Sequence, residues 1–325
     1  MELKIRRRSF LRFAASAAAV SALPHAAPAE TYPARPVQMI VDLPPGLAPD
    51  VVARIAAPQL SQRFGQQFIV ENKPGAGGNV GAEYVIRSAP DGYTLLVMIS
   101  GNAASAALYP NLTFNFVRDV EAITFLGYTP FVVVVNPSVP AKTIPELIAY
   151  AKANPGKLNL ASPGAGTAPH LAFELFRMMT GVNIVHVPYR TPYIPDLLGG
   201  QVQLAFVAAP TVLGYIQSGK LLALGVTSAQ RLEALPNVPT IAESVPGYEG
   251  SGWLGLAAPK HTPRDIVGRL NKEVNAVMAA PAMKTRLIGL GVEWTPMSPA
   301  EFSSLIADAA AKWAKVIKFA NIKAG

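Results

Sequence analysis

The chain reads as an α/β protein of two doubly wound domains joined by two crossover strands, and three observations predict it. Short, near-continuous apolar runs alternate with helix-period segments along most of the 325 residues, the pattern of strands covered by helices on both faces. The 30 prolines and 26 glycines punctuate that alternation with frequent turns. Two glycine-rich turns, each leading from a strand into a helix, recur about a domain's length apart. The length itself suits two ordinary cores.

Taken in order, the predicted strands cover residues 37–43, 68–71, 94–99, 131–135, 158–161, 184–187, 204–208, 223–227 and 253–257. The first glycine turn, Leu43-Pro44-Pro45-Gly46-Leu47, follows the first strand. Asp50 then caps a helix over 51–62 through its own side chain. The second turn, Ser162-Pro163-Gly164-Ala165-Gly166-Thr167, leads from strand 158–161 into another helix. Thr143, Thr262 and Ser298 each precede an early proline and mark helix starts. Residues 263–320 are nearly all helical in period, with Ile266, Leu270, Val274 and Val277 on one face. Trp313, Val316, Ile317 and Phe319 dock the tail on a domain. Stretches 128–135 and 251–258 read as crossovers. They divide the chain into one domain of residues 30–130 plus 253–325 and another of 131–252. A cleft follows where strand ends of the two domains face each other.

Residues 1–29 read as an export signal that resembles the twin-arginine type. A basic start with Arg7-Arg8, a short weakly apolar stretch over 14–23 and Ala27-Pro28-Ala29 place cleavage after Ala29. Its removal takes away five basic groups and one acid, so the formal charge falls from +8 to +4. The remaining charge is scattered, which argues against nucleic acid as a partner. Half of the residues are hydrophobic and 15% charged, which excludes a disordered chain. The chain has no cysteine, which excludes disulfides and thiolate chemistry.

A glycine turn at a helix N-terminus aims open backbone N–H groups at one spot and suits an anion. Candidate ligand contacts are therefore Leu43, Pro45, Gly46 and Leu47 in one turn and Ser162, Gly164, Gly166, Thr167 and His170 in the other. The Ser162 and Thr167 hydroxyls serve either a ligand carboxylate or helix capping. Gly77 and Gly78 lie in a third turn, Gly75-Ala76-Gly77-Gly78, which fails the dinucleotide pattern because Val80 stands where a glycine is needed. Tyr189, Arg190 and Tyr193 follow strand 184–187. Arg190 is either the cation of the site or a solvated rim residue. Gly214 to Lys220 imitates a phosphate loop, but Leu221 replaces its hydroxyl residue and the run ends a helix, with Gly219 at its C-cap. Ser162, His170 and Asp196 permit a hydrolytic triad on paper, without the G-x-S-x-G elbow. The histidines show no metal-ligand spacing, so neither a metal nor a cofactor is expected.

Beyond these features, the chain resembles the periplasmic substrate-binding proteins of tripartite tricarboxylate transporters, the Bug or TctC-like family. The resemblance rests on Tyr32-Pro33-x-Arg35-Pro36, Pro44-Pro45-Gly46 with Asp50, Glu71-Asn72-Lys73-Pro74-Gly75-Ala76-Gly77-Gly78 and Pro90-Asp91-Gly92-Tyr93. It continues through Ser162-x-Gly164-x-Gly166-Thr167 with His170, Val187-Pro188-Tyr189-Arg190, Asp196-Leu197-Leu198-Gly199-Gly200 and Leu235-Pro236-x-Val238-Pro239-Thr240. It implies a Venus-flytrap fold that closes on a small organic acid and delivers it to a membrane permease. It further implies a soluble monomer in the periplasm, and a ligand carboxylate held between the two turns, partly through ordered water. A ligand-presenting receptor for a membrane signalling protein is the alternative, and a periplasmic serine hydrolase the more distant one. The chain departs from the family at Leu47, where a second glycine is usual, at Asp42, where proline is common, and at Leu43. The loop before Asp196 is also shorter.

Overall fold

The computed structural model describes residues 32–189 and 192–323. The export signal over 1–29 and Arg190 lie outside the described residues.

Among the described residues, ten strands form two five-stranded sheets. The first contains β1 (Val37–Val41), β2 (Phe68–Asn72), β3 (Thr94–Ile99), β4 (Val120–Thr129) and β10 (Gly252–Pro259), in the order β2-β1-β3-β10-β4. The second contains β5 (Phe131–Val135), β6 (Asn159–Ser162), β7 (Val185–Pro188), β8 (Leu204–Ala208) and β9 (Leu222–Val226), in the order β7-β6-β8-β5-β9. Each sheet has one reversed strand: β10 runs antiparallel to β3 and β4, and β5 antiparallel to β8 and β9. The reason is the crossing of the chain. β4 runs into β5 with only Pro130 between them, and β10 brings the chain back. A strand that arrives from the other lobe enters at the carboxyl ends of its new neighbours and so runs against them. The crossovers thus hold the carboxyl ends of both sheets toward the junction, which is the two-lobed architecture of periplasmic binding proteins.

Strand β4 is absent from the sequence prediction before residue 128. Glu121, Thr124 and Gly127 interrupt its apolar run, and its pairing with β10 contains two register shifts.

The helices, in chain order, are α1 (Ala48–Phe64), α2 (Asn79–Ile86), α3 (Ser100–Leu108), α4 (Phe116–Asp119), α5 (Ile144–Ala153), α6 (Ala168–Thr180), α7 (Ile194–Gly199), α8 (Ala209–Gln217), α9 (Arg264–Met278), α10 (Pro281–Gly289) and α11 (Pro299–Ala320). Thr143 and Ser298 cap α5 and α11 as expected, and Ser298 forms a reciprocal capping box with Glu301. Thr262 does not cap α9. Its hydroxyl donates to the Pro259 carbonyl, and Pro263 takes the cap position. Among the described residues no helix is long and apolar enough to cross a membrane.

Helix α11 packs on α3, α6 and β4, and so touches elements of both lobes. Trp313, Val316 and Ile317 are buried, whereas Phe319 is exposed and lies over the Arg177 guanidinium. The closest fit is at Gly255 of β10, where an added Cβ would stand 1.9 Å from the buried Phe302 ring. Gly255→Ala should therefore destabilise the fold by about 1–3 kcal/mol through overpacking. Urea unfolding monitored by far-ultraviolet circular dichroism checks this, and an unchanged midpoint would mean that Phe302 yields freely.

Candidate functional site

The first turn leaves β1 and is held by one buried carboxylate. Asp50 is 3% exposed, and its Oδ2 accepts the Gly46 N–H at 2.8 Å. Its Oδ1 accepts from Arg54 Nε and Asn72 Nδ2, each at 2.9 Å. Asn72 also donates to the Leu43 carbonyl at 3.0 Å. Burial raises the Asp50 pKa, but the Gly46 N–H, Asn72 and Arg54 together outweigh it and hold the carboxyl below its ordinary value. The expected N-cap role of Asp50 is corrected: Leu47 occupies that position, and Asp50 reaches back from the third helical residue. The arrangement presents Leu47 outward at 47% exposure.

The third turn packs directly behind the first. Gly78 has φ +97°, and a Cβ there would fall 2.6 Å from Asp42 Oδ2. Gly77 lies under the Tyr109 hydroxyl in the same way. Both glycines are thus required by close approach as well as by backbone angle. Asp42 itself is fully buried. Its Oδ2 accepts from Asn102 Nδ2 at 2.7 Å, while its Oδ1 has no partner among the described residues. Burial pushes its pKa up from 3.8 to about 7, against the opposing effect of the Asn102 bond.

The second turn is tied by a different set of groups. The Gly164 N–H donates to Ser162 Oγ at 3.1 Å, and the Gly166 N–H donates to His170 Nδ1 at 3.0 Å. With Nδ1 accepting, the His170 proton sits on Nε2, which faces Glu174 Oε1 at 3.3 Å. Arg177 closes the chain on Glu174 Oε2 at 2.7 Å. The Thr167 hydroxyl donates to the Gly164 carbonyl at 2.8 Å. Ser162 Oγ shares a 2.6 Å hydrogen bond with His186 Nε2, and the His186 ring stacks on His170 at 3.7 Å. Burial pushes the His186 pKa down to about 4, so the ring is neutral at pH 7. The hydrolytic pairing of Ser162 with His170 is therefore not made. His186 takes that contact, with a basicity too low for an effective general base near neutral pH.

Two consequences follow for the anion geometry. The N–H groups of Gly46, Gly164 and Gly166 are spent inside their own turns. The donors left open are the next ones along: among the described residues, no acceptor takes the N–H groups of Leu47, Ala48 and Asp50, or of Ala165, Ala168 and His170. Each set lies at the start of a long helix, α1 or α6, which adds a favourable dipole. The second turn nears the third at the end of α3: a Cβ on Gly166 would lie 3.0 Å from Leu108 Cδ1, and the next residue, Tyr109, covers Gly77 of the third turn. Tyr189 and Tyr193 lie with ring centres 5.9 Å apart. The Tyr189 hydroxyl donates to Asp196 at 2.8 Å, and burial raises the Tyr193 pKa to about 12.

Sequence inspection missed Asn72, Asn102 and His186. Asn72 and Asn102 stand at strand and helix ends, where only the β1 register with β2 and β3 brings them to the turn. His186 faces the second turn because β7 pairs in register with β6.

Comparison with known proteins gives a consistent picture. A family model described as "Tripartite tricarboxylate transporter family receptor" matches residues 52–322. "Protein BugT" of Bordetella pertussis is 37% identical over 300 residues, 91% of this chain and 92% of that protein. The structure described as "R. palustris Rpa4515 with adipate" is 34% identical, with a TM-score of 0.76 over 90% of this chain and 99% of that one. "MatC (Rpa3494) from Rhodopseudomonas palustris with bound malate" is 29% identical, with a TM-score of 0.73 over 88% of this chain and 100% of its own.

Proposed function

Because the chain belongs to the tripartite tricarboxylate transporter receptor family, whose members are periplasmic solute-binding proteins, we propose that it captures a small organic carboxylate between its two glycine turns. It then hands the ligand to the membrane permease of such a transporter. The observation that carries this is the pair of open N–H sets at the starts of α1 and α6, one in each turn. Backbone donors at two helix N-termini recognise a carboxylate without a resident cation. Adipate and malate in the two neighbours support the same ligand class.

The lobes are taken as residues 30–130 with 253–325, and 131–252, moving about the crossovers. Ligand contacts to both lobes stabilise the closed state by their differential affinity for it. Export removes residues 1–29, and the mature protein works as a monomer. Leu43, Pro45, Leu47, Tyr189 and Tyr193 shape the space around the ligand body. Ser162 acts by holding the second turn rather than as a nucleophile.

A thermal-shift screen of organic acids tests the proposal, since a ligand that binds only the folded state raises its apparent stability. A set of mono- and dicarboxylates that all leave the midpoint unmoved would sink it. Ser162→Ala should weaken the acid so found by about 1–3 kcal/mol, because the Gly164 N–H and His186 lose their shared partner. Calorimetric titration reads that loss. Deleting the cognate permease separates transport from sensing: lost uptake supports delivery, whereas intact uptake with a lost transcriptional response supports the signalling alternative.

A further inference from the structure

A cavity with a well-defined lining lies away from the glycine turns. It measures about 490 Å³, within the range of small-molecule sites. Strand order fixes its place. The turns leave β1, β2 and β6, on one side of the two sheets. The cavity touches Tyr128 of β4, Ser228 just after β9 and the 291–295 segment that bridges to Tyr128. Those elements lie at the β4 edge of the first sheet and the β9 edge of the second, away from β1, β2 and β6. Its walls therefore come from both lobes and from the crossovers between them.

The chemistry of this cavity is opposite to that of the turns. Apolar wall is supplied by Leu287, Ile288, Val292 and Trp294. The Trp294 indole is fixed by its Nε1 donating to the Phe125 carbonyl at 3.2 Å. Three carboxylates line the space, Glu233, Glu249 and Glu293, against one lysine, Lys284. Glu249 is already satisfied by Lys312 at 2.7 Å and by the Ser251 N–H at 2.9 Å. Glu293 is not. Its backbone N–H and carbonyl both pair with Tyr128, which anchors the residue in the wall. Its carboxylate, half-buried, has no partner among the described residues. Burial raises the pKa of that group, as for a charge short of a counter-ion.

We propose that this cavity is a second ligand site, selective for an organic ammonium with an apolar body, whose charge pairs with Glu293 while its body packs on Trp294 and Ile288. A carboxylate beside fixed aromatic rings is the chemistry that recognises such cations, whereas the glycine turns offer only N–H donors. The proposal does not depend on which carboxylate the turns hold.

Calorimetric titration of the mature chain with 2-phenylethylammonium chloride tests it. Saturable binding is expected, and Glu293→Gln should weaken it about tenfold, as expected for loss of a partly buried charge-assisted bond. Ile288→Arg, at an exposed position on the rim, should weaken it similarly by placing a like charge beside the ligand. Ser162→Ala should leave it unchanged. Absence of saturable binding at millimolar probe, unchanged affinity in either cavity variant, or loss of binding in Ser162→Ala would overturn the proposal. The last result would place the probe in the glycine turns instead.

Discussion

Replacing Asp42 by asparagine is expected to stabilise the fold near pH 8 by about 3–4 kcal/mol, with the gain shrinking toward zero near pH 4. The folded-state pKa of Asp42 is about 7, against an ordinary value of 3.8. A raised carboxyl pKa means that the folded protein holds a proton that the unfolded chain releases. Folding stability therefore falls as pH rises from about 4 through 7, then levels off. At roughly 1.4 kcal/mol per pH unit, that window amounts to about 4 kcal/mol. The cause is structural. Asp42 is fully buried behind Gly78 and receives one amide donor, from Asn102, on one oxygen. Among the described residues its other oxygen lacks a partner, and so do both side-chain polar atoms of the buried Asn79 next to Gly78 in the chain. Asparagine keeps the shape and the acceptor for Asn102 but removes the charge. Urea unfolding of both proteins across the pH range reads the difference directly. Parallel stability curves would show that Asp42 ionises without penalty.

Asp50→Ala should act in the other direction and on two properties at once. It removes the acceptor for the Gly46 N–H, Arg54 and Asn72. Arg54 is half exposed, so its loss is discounted for solvent. The other two partners are left short inside the turn, and the total cost is about 2–4 kcal/mol of stability. The first turn then loses the clasp that fixes the Leu47 and Ala48 N–H groups, so affinity for a carboxylate ligand should fall by tenfold or more, a loss of about 1.4 kcal/mol. Asp50→Asn should recover part of both effects, because it retains one acceptor. A thermal melt with and without ligand separates the two losses. An Asp50→Ala protein that binds carboxylate as the parent does would show that the turn is shaped by its prolines alone.

The periodic features of this protein were plain in its sequence. Strands 94–99, 131–135 and 204–208 lie where the apolar runs placed them, because strands covered on both faces leave uninterrupted hydrophobic signals. The caps at Thr143 and Ser298 and the glycine turns were equally legible, since each depends on a few adjacent residues. Strand β4 was not. Its Glu121, Thr124 and Gly127 conceal a strand that only pairing with β10 stabilises.

Side-chain partnerships were the least visible. Asp42 meets Asn102 sixty residues away, Asp50 meets Asn72, and Ser162 meets His186 rather than the nearer His170. The sequence alone determined that two glycine turns would open two helices at strand ends, since backbone angle and capping are local properties. Which N–H groups those turns leave open depends instead on long-range packing. Asp50, His170 and Ser162 consume the glycine donors, and those contacts depend on strand register and burial, which no local stretch of chain contains.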